Sequence, residues 1–164
     1  RYTPSAVNVD IKPRFPLFGG WKTQYVLGYT LPSENNLFSV AGTSDYVLKV
    51  PFIDHVYDNM AIDEATVRII LPEGSSNFRL NLPYDVKRQP DEIYYSYLDT
   101  VGRPVIVLNK KNLVEWHIQT IELRYAYKPI YMFQEPFLVV GSIFALCLLV
   151  IGLVRTKTTL EPSK

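Results

Sequence analysis

The run FLVVGSIFALCLLVIGLV, from Phe137 to Val154, constrains this chain more than any other feature, because 18 consecutive residues carry no charge. Coiled as a helix at about 1.5 Å per residue it measures about 27 Å, enough to cross the hydrocarbon layer of a thin bilayer. A helix buried in a protein core would show polar positions every turn, whereas this run has only Ser142. It reads as a transmembrane helix over residues 137–154. Pro136 falls where the first helical position belongs, and there its missing N–H costs nothing. Arg155, Lys157 and Lys164 follow the run, while the connector 130–136 carries only Glu135. The positive-inside tendency therefore puts a short tail, residues 155–164, in the cytosol and residues 1–129 on the other side, although Arg124 and Lys128 reduce the asymmetry. Gly141, Ala145 and Gly152 fall near one side of this helix, where small residues let a second helix approach closely.

Upstream of the helix the chain favours β structure. It holds 12 Tyr and 8 Phe with frequent Val and Ile, residue types suited to pleated, half-buried strands. Its 17 basic and 16 acidic residues nearly cancel, which argues against nucleic acid as a partner. Cys147, the single cysteine, lies inside the apolar run, so residues 1–129 form no disulfide among themselves and depend on a core or on partners. No N-x-S/T sequon occurs, and no N-glycan is expected. The chain opens at Arg1 without a Met or a leader, and reads as the C-terminal portion of something longer.

Short alternating runs recur between turn signals, the pattern of an antiparallel β-sandwich. WKTQYVLGYTLP sets Trp21, Tyr25, Leu27 and Tyr29 on one side, and DYVLKVPF groups Tyr46, Leu48, Val50 and Phe52. A strand from Ala65 to Leu71 is closed by Pro72 and Gly74, and NFRLNLPY alternates Phe78, Leu80 and Leu82 with polar residues. IYYSYL and PVIVLNK flank Asp99 to Arg103 as a hairpin. Lys110 to Glu115 is polar enough for a loop or one helical turn, and a last strand spans Ile118 to Lys128. Tyr125, Tyr127, Tyr131 and Phe133 suit an interfacial aromatic belt, the first two serving equally as the core face of that strand.

Residues that carry chemistry are sparse. His55 and His117 are too few for a zinc triad, and neither lies in an HExxH arrangement. Asp54, His55, Asp58, Asp63 and Glu64 crowd one connector, but their spacing matches no EF-hand, and acidic connectors are usually solvated. No G-x-S-x-G elbow or phosphate-cradling glycine loop is present. Asp91 and Glu92 are adjacent, and adjacent strand residues point to opposite faces, so they cannot converge on one bond. No catalytic residue, metal or cofactor is expected. Phe15, Leu17, Phe18 and Trp21 form an apolar, glycine-containing segment suited to contact, or to packing on its own domain.

Specific strings go further than periodicity. PRFPLFGGWKTQYVLGYTLP from Pro13, FIDHVYD from Phe52, IILPEG from Ile69, PDEIYYSYLDTVGRPVIV from Pro90, KKNLVEWHIQ from Lys110 and QEPFLVV from Gln134 resemble, in order, the C-terminal part of the ribophorin I family. That family supplies a non-catalytic subunit of the endoplasmic reticulum oligosaccharyltransferase complex. The resemblance implies a lumenal β-sandwich, a single type I span and partnership with a multi-spanning catalytic subunit, with other subunits and with the bilayer; the nascent polypeptide is a further candidate partner. Some relatives carry a long cytosolic tail that contacts the ribosome. This chain stops at Lys164, as short-tailed fungal members do, so ribosome docking through a tail is not expected. The competing reading is a single-pass adhesion or receptor ectodomain.

Overall fold

Alternating strands bury one face only when neighbours take up their backbone hydrogen bonds. The computed structural model describes the backbone of residues 2–3, 6–7, 10–57 and 59–159 and the side chains of residues 10–57 and 59–156. Asp58, the side chain of Lys157 and residues 160–164 of the expected tail lie outside the described residues. The chain divides into two compact units, residues 1–31 and 32–164.

In the first unit β1 (Tyr2–Thr3) pairs antiparallel with β2 (Ala6–Val7). Residues 21–31 do not form the expected strand: they are irregular, and Trp21, Tyr25, Leu27 and Tyr29 are all exposed. Alternation says which side chains would share a face, but a strand also needs a ladder for its N–H and C=O groups, and among the described residues no ladder reaches this segment.

The second unit carries two four-stranded antiparallel sheets. After a single helical turn, α1 (Ser33–Asn36), the first sheet contains β3 (Leu37–Ser39), β4 (Asp45–Pro51), β6 (Ser76–Asn81) and β10 (Thr120–Ala126), in the order β3-β4-β10-β6. Register sets Ile121 opposite Val50, Leu123 opposite both Leu48 and Leu80, and Tyr125 opposite Tyr46. Apolar residues therefore meet across strands on one face. On the other face Glu122 lies opposite Lys49 in an exposed ion pair of 2.6 Å.

The second sheet is built on β9 (Arg103–Val114), which pairs with β5 (Ala61–Ile70) along one edge and with β7 (Lys87–Arg88) and β8 (Glu92–Tyr94) along the other. Ile69 faces Ile106, and Val67 faces Leu108. Val105 to Leu108 are all buried, so this stretch is covered on both faces. The shared core joins Phe52, Met60, Ile69, Leu71, Ile106, Leu108, Leu113, Ile121, Leu123 and Tyr125.

Four sequence expectations need correction here. β5 begins at Ala61 rather than Ala65 and takes in Asp63 and Glu64. β9 continues through Lys110 to Val114, and the helical turn comes later, as a 3-10 turn at Glu115–His117. Polar residues stay in this strand because they pair across it: Asn109 Nδ2 donates to Glu64 Oε1 at 2.9 Å and to Thr66 Oγ1 at 3.1 Å. Apolar positions also change parity between Leu108 and Leu113, and Asn112, left-handed at φ 56°, lies between them. Two further differences concern loop and helix limits. The expected hairpin forms, but its ladder ends at Tyr94 opposite Arg103, so the loop is 95–102 rather than Asp99 to Arg103. Finally, the helix α2 spans Gln134–Thr159, directly after a 3-10 turn at Pro129–Phe133. It overshoots 137–154 at both ends because hydrophobicity marks the lipid-matched stretch, not the hydrogen-bonded one. Pro136 is thus third in the helix instead of first, still within the turn whose N–H groups have no intrahelical acceptor. Residues Pro129–Thr156, with a mean hydropathy of 3.0 in their most apolar window, are long and apolar enough to cross a membrane, and none of that window is buried in the domain.

Candidate functional site

The densest polar network among the described residues sits where the sandwich meets α2. Its aromatic support starts in the core. Tyr125 stacks on Tyr46 with centroids 5.9 Å apart, Tyr46 meets Tyr127 at 6.3 Å, and Tyr127 meets Tyr131 of the 3-10 turn at 6.3 Å. Tyr125 and Tyr127 thus belong to the sandwich, leaving Tyr131 and Phe133 of the expected belt at the helix entry, where Phe133 contacts Phe137 at 6.3 Å. Tyr131 lies over Gly74. A Cβ at Gly74 would stand 2.7 Å from Tyr131 Cδ2, and the backbone there has φ +80°, so this position needs glycine twice over.

Gly74 belongs to the turn that ends β5, closed by Ser75 N–H donating to Pro72 O at 3.2 Å. That turn aims Glu73 at the loop 95–102. Glu73 Oε1 accepts from the backbone N–H of Thr100 at 2.9 Å, of Val101, and of Gly102 at 3.1 Å, and from Thr100 Oγ1 at 3.2 Å. Gln134, first residue of α2, donates through Nε2 to Glu73 Oε2 at 3.3 Å and to Thr100 Oγ1. Beside it Asp99 accepts a bidentate contact from Arg103 at 3.0–3.1 Å, and Arg103 Nη2 reaches on to Glu135 Oε1 at 2.9 Å. Two strand ends, one loop and the helix entry are therefore tied by one network.

Its electrostatics favour the charged forms. Partial burial works to raise the Glu73 pKa, but the N–H groups of Val101, Gly102 and Thr100 together outweigh it and hold the carboxyl below its ordinary 4.5. Asp99 is held below 3.8, chiefly by the Arg103 guanidinium, and Arg103 is correspondingly kept protonated by Asp99. The Asp99 side chain has no exposed surface, although it lies near the domain surface, because its own loop and Arg103 cover it.

The residues singled out from sequence lie elsewhere. Phe15, Phe18 and Trp21 do come together: Trp21 meets Phe18 at 5.2 Å and Phe15 at 6.3 Å, around a turn closed by Trp21 N–H to Phe18 O at 3.0 Å with Gly20 at φ +82°. Leu17 is exposed beside them in sequence. Gly141, Ala145 and Gly152 lie along α2, with open space around both glycines. The acidic connector disperses. His55 Nε2 lies 3.5 Å from Glu115 Oε1, which also accepts from Asn59 N–H, while Glu64 Oε1 accepts from Asn109 Nδ2 on the neighbouring strand. Asp91 pairs with Arg88 at 2.8 Å and Glu92 with Arg68 at 2.6 Å. Among the described residues no three His, Cys, Asp or Glu side chains are grouped to hold a metal.

Glu73, Thr100, Gly102, Arg103, Gln134 and Glu135 were not singled out as a site by sequence. The one available signal was that they fall in IILPEG, in the string from Pro90 and in QEPFLVV, three of the strings that carry the family resemblance, and these three meet here.

Fold and junction define a β-sandwich locked to one helix that is fit to cross a membrane. The family model Ribophorin I matches residues 1–154, and the chain belongs to that family. It is 40% identical over 166 residues to dolichyl-diphosphooligosaccharide–protein glycosyltransferase subunit 1 of Caenorhabditis elegans, covering 100% of this chain and 28% of that protein. Subunits 1A and 1B of the same name from Arabidopsis thaliana are 39% identical over 153 residues and 37% over 139, covering 93% and 83% of this chain and 24% and 29% of those proteins. The chain therefore spans under a third of the length of these curated relatives.

Proposed function

We propose that this chain is the membrane-proximal part of a non-catalytic, structural subunit of oligosaccharyltransferase, supporting transfer of a dolichyl-pyrophosphate-linked oligosaccharide to Asn of nascent polypeptides. The observation that carries the reading is the Ribophorin I match over residues 1–154, together with relatives named as subunit 1 of that glycosyltransferase. Those names favour it over an adhesion or receptor ectodomain. In this reading residues 1–129 are lumenal in the endoplasmic reticulum, 130–136 connect, 137–154 span the bilayer and 155–164 are cytosolic. The junction supports the role physically: a carboxylate bonded to three backbone N–H groups and to the helix entry holds the sandwich at a set angle to its span, which a positioning subunit requires. Neighbouring subunits, including a multi-spanning catalytic one, dock on the helix face of Gly141, Ala145 and Gly152 and on the surface of Phe15, Leu17, Phe18 and Trp21. The test is stoichiometric co-purification of the full-length protein with a multi-spanning catalytic partner from microsomes in mild detergent. A protein that runs alone as a monomer sinks the reading. Gly141→Leu or Ala145→Leu lowers that co-purification, and an unchanged yield removes the packing face.

A further inference from the structure

The loop 95–102 groups several exposed aromatic and aliphatic side chains. Tyr95, Tyr97 and Val101 are 62%, 87% and 70% exposed, with Ile93 at 63% beside them at the base. Apolar surface on a loop tip is costly in water unless something covers it. Two observations say what does. First, the loop is fixed at the entry of α2: Thr100 Oγ1 bonds to Gln134, and Arg103, just past the loop, bonds to Glu135 at 2.9 Å. Gln134 precedes the uncharged run by three residues, about 4.5 Å along a helix, whereas the headgroup layer of each leaflet is about 5–7 Å deep. The loop therefore stands at headgroup depth whenever α2 crosses a bilayer. Second, several of its backbone N–H groups are satisfied from within by carboxylates. The N–H groups of Thr100, Val101 and Gly102 go to Glu73, that of Ser96 goes to Asp99 Oδ2 at 2.6 Å, and Asp99 is neutralised by Arg103. Internal satisfaction of this kind lowers the cost of moving backbone out of bulk water toward the acyl boundary. Leu98 is held at φ 68°, a left-handed conformation that a bulky side chain adopts only when its surroundings impose it.

We propose that Tyr95, Tyr97, Leu98 and Val101 form a second membrane contact, seated in the headgroup and upper acyl layer beside the entry of α2. The tyrosine hydroxyls stay at headgroup level while the rings and the aliphatic side chains reach toward the acyl boundary, as interfacial aromatics do. Such a contact resists tilting of the sandwich about α2, because a single helix leaves that motion open whereas two separated contacts do not. The proposal rests on the reading of α2 as a transmembrane span.

The test uses the full-length protein in phosphatidylcholine vesicles, and in its native complex, with an environment-sensitive fluorescent amino acid placed by codon suppression at position 97, 116 or 149. Position 97 is almost fully exposed, so substitution there leaves the fold intact. Position 116 is an equally exposed site just past the far end of β9, about 36 Å of strand away. The expected result is a blue-shifted emission at 97 that is lost to lipids carrying a shallow nitroxide, while 116 is quenched only by aqueous iodide and 149 only by deep nitroxides. If 149 responds to deep nitroxides but 97 is quenched by iodide like 116, the loop contact is wrong and the span stands. Should 149 escape lipid quenchers altogether, the span falls and takes the proposal with it. Shielding of 97 from both quenchers in the complex, with exposure to iodide in vesicles, assigns the loop to a protein neighbour and overturns the lipid contact.

Discussion

Replacing Glu73 by Ala removes one carboxylate and frees five donors at once: the N–H groups of Thr100, Val101 and Gly102, the Thr100 hydroxyl and the Gln134 amide. Fully buried, bonds to a charged acceptor each contribute about 1.5–3 kcal/mol. Glu73 is only half-buried, and the released groups regain water, so a discounted value near 0.4 kcal/mol per bond is appropriate, for a total of roughly 2 kcal/mol over five bonds. That corresponds to about a 30-fold rise in the opening equilibrium of the loop, a tenfold change being about 1.4 kcal/mol. Glu73→Gln keeps an acceptor but loses the charge, and should cost about half as much, or roughly fivefold. Amide hydrogen exchange of the full-length protein in lipid nanodiscs reads this directly at Val101 and Gly102. The exchange of Leu123, at the centre of the core, should not change, because loop opening is local. Equal protection of Val101 and Gly102 in Glu73→Ala and the parent would refute the claim that this carboxylate holds the loop to the helix.

Three further outcomes are expected. Leu123, with no exposed surface in β10, should cost about 2–5 kcal/mol when replaced by Ala, read as a lower urea midpoint of the sandwich by near-ultraviolet dichroism in detergent. Gly74→Ala drives a Cβ into Tyr131 and strains φ +80°, lowering the thermal midpoint by the equivalent of about 1–3 kcal/mol; adding Tyr131→Ala relieves the clash but not the backbone strain, so only part of the loss returns. The junction also has a defined pH response. Glu73 and Asp99 both have folded pKa values below their ordinary 4.5 and 3.8, so they stabilise the junction fully above those values and lose that contribution as pH falls through the lowered ones. Exchange at Val101 should be insensitive to pH, once corrected for intrinsic rates, from neutrality down to about 5 and should accelerate below about 4; a loss of protection beginning near neutrality would contradict the carboxylate assignment.

The sheets were legible wherever a local pattern coincided with a local cause. Tyr46, Leu48 and Val50 alternate in the chain and line the core side of β4; Ile121, Leu123 and Tyr125 do the same in β10. Patterning misled where the decisive partner was elsewhere. Lys110 and Lys111 look like loop residues until β5 supplies Ala65 and Glu64 opposite them, and Trp21 to Tyr29 look like a strand although no ladder among the described residues reaches them. Asp54, His55, Asp63 and Glu64 look like a cluster only along the chain, because β5 carries the last two away into a sheet.

Sequence alone determined that one helix can cross a bilayer, which residues face a core, and the family to which the strings belong, since chain length, periodicity and local composition are properties of neighbours in the chain. Only the tertiary structure decided how the sandwich is held to that helix. Glu73 and Gln134 are 61 positions apart and Arg103 and Glu135 are 32 apart, and a hydrogen bond between them depends on where two turns and a helix entry arrive in space. No periodicity encodes such a meeting, because it is fixed by register across both sheets and not by any residue's neighbours in the chain.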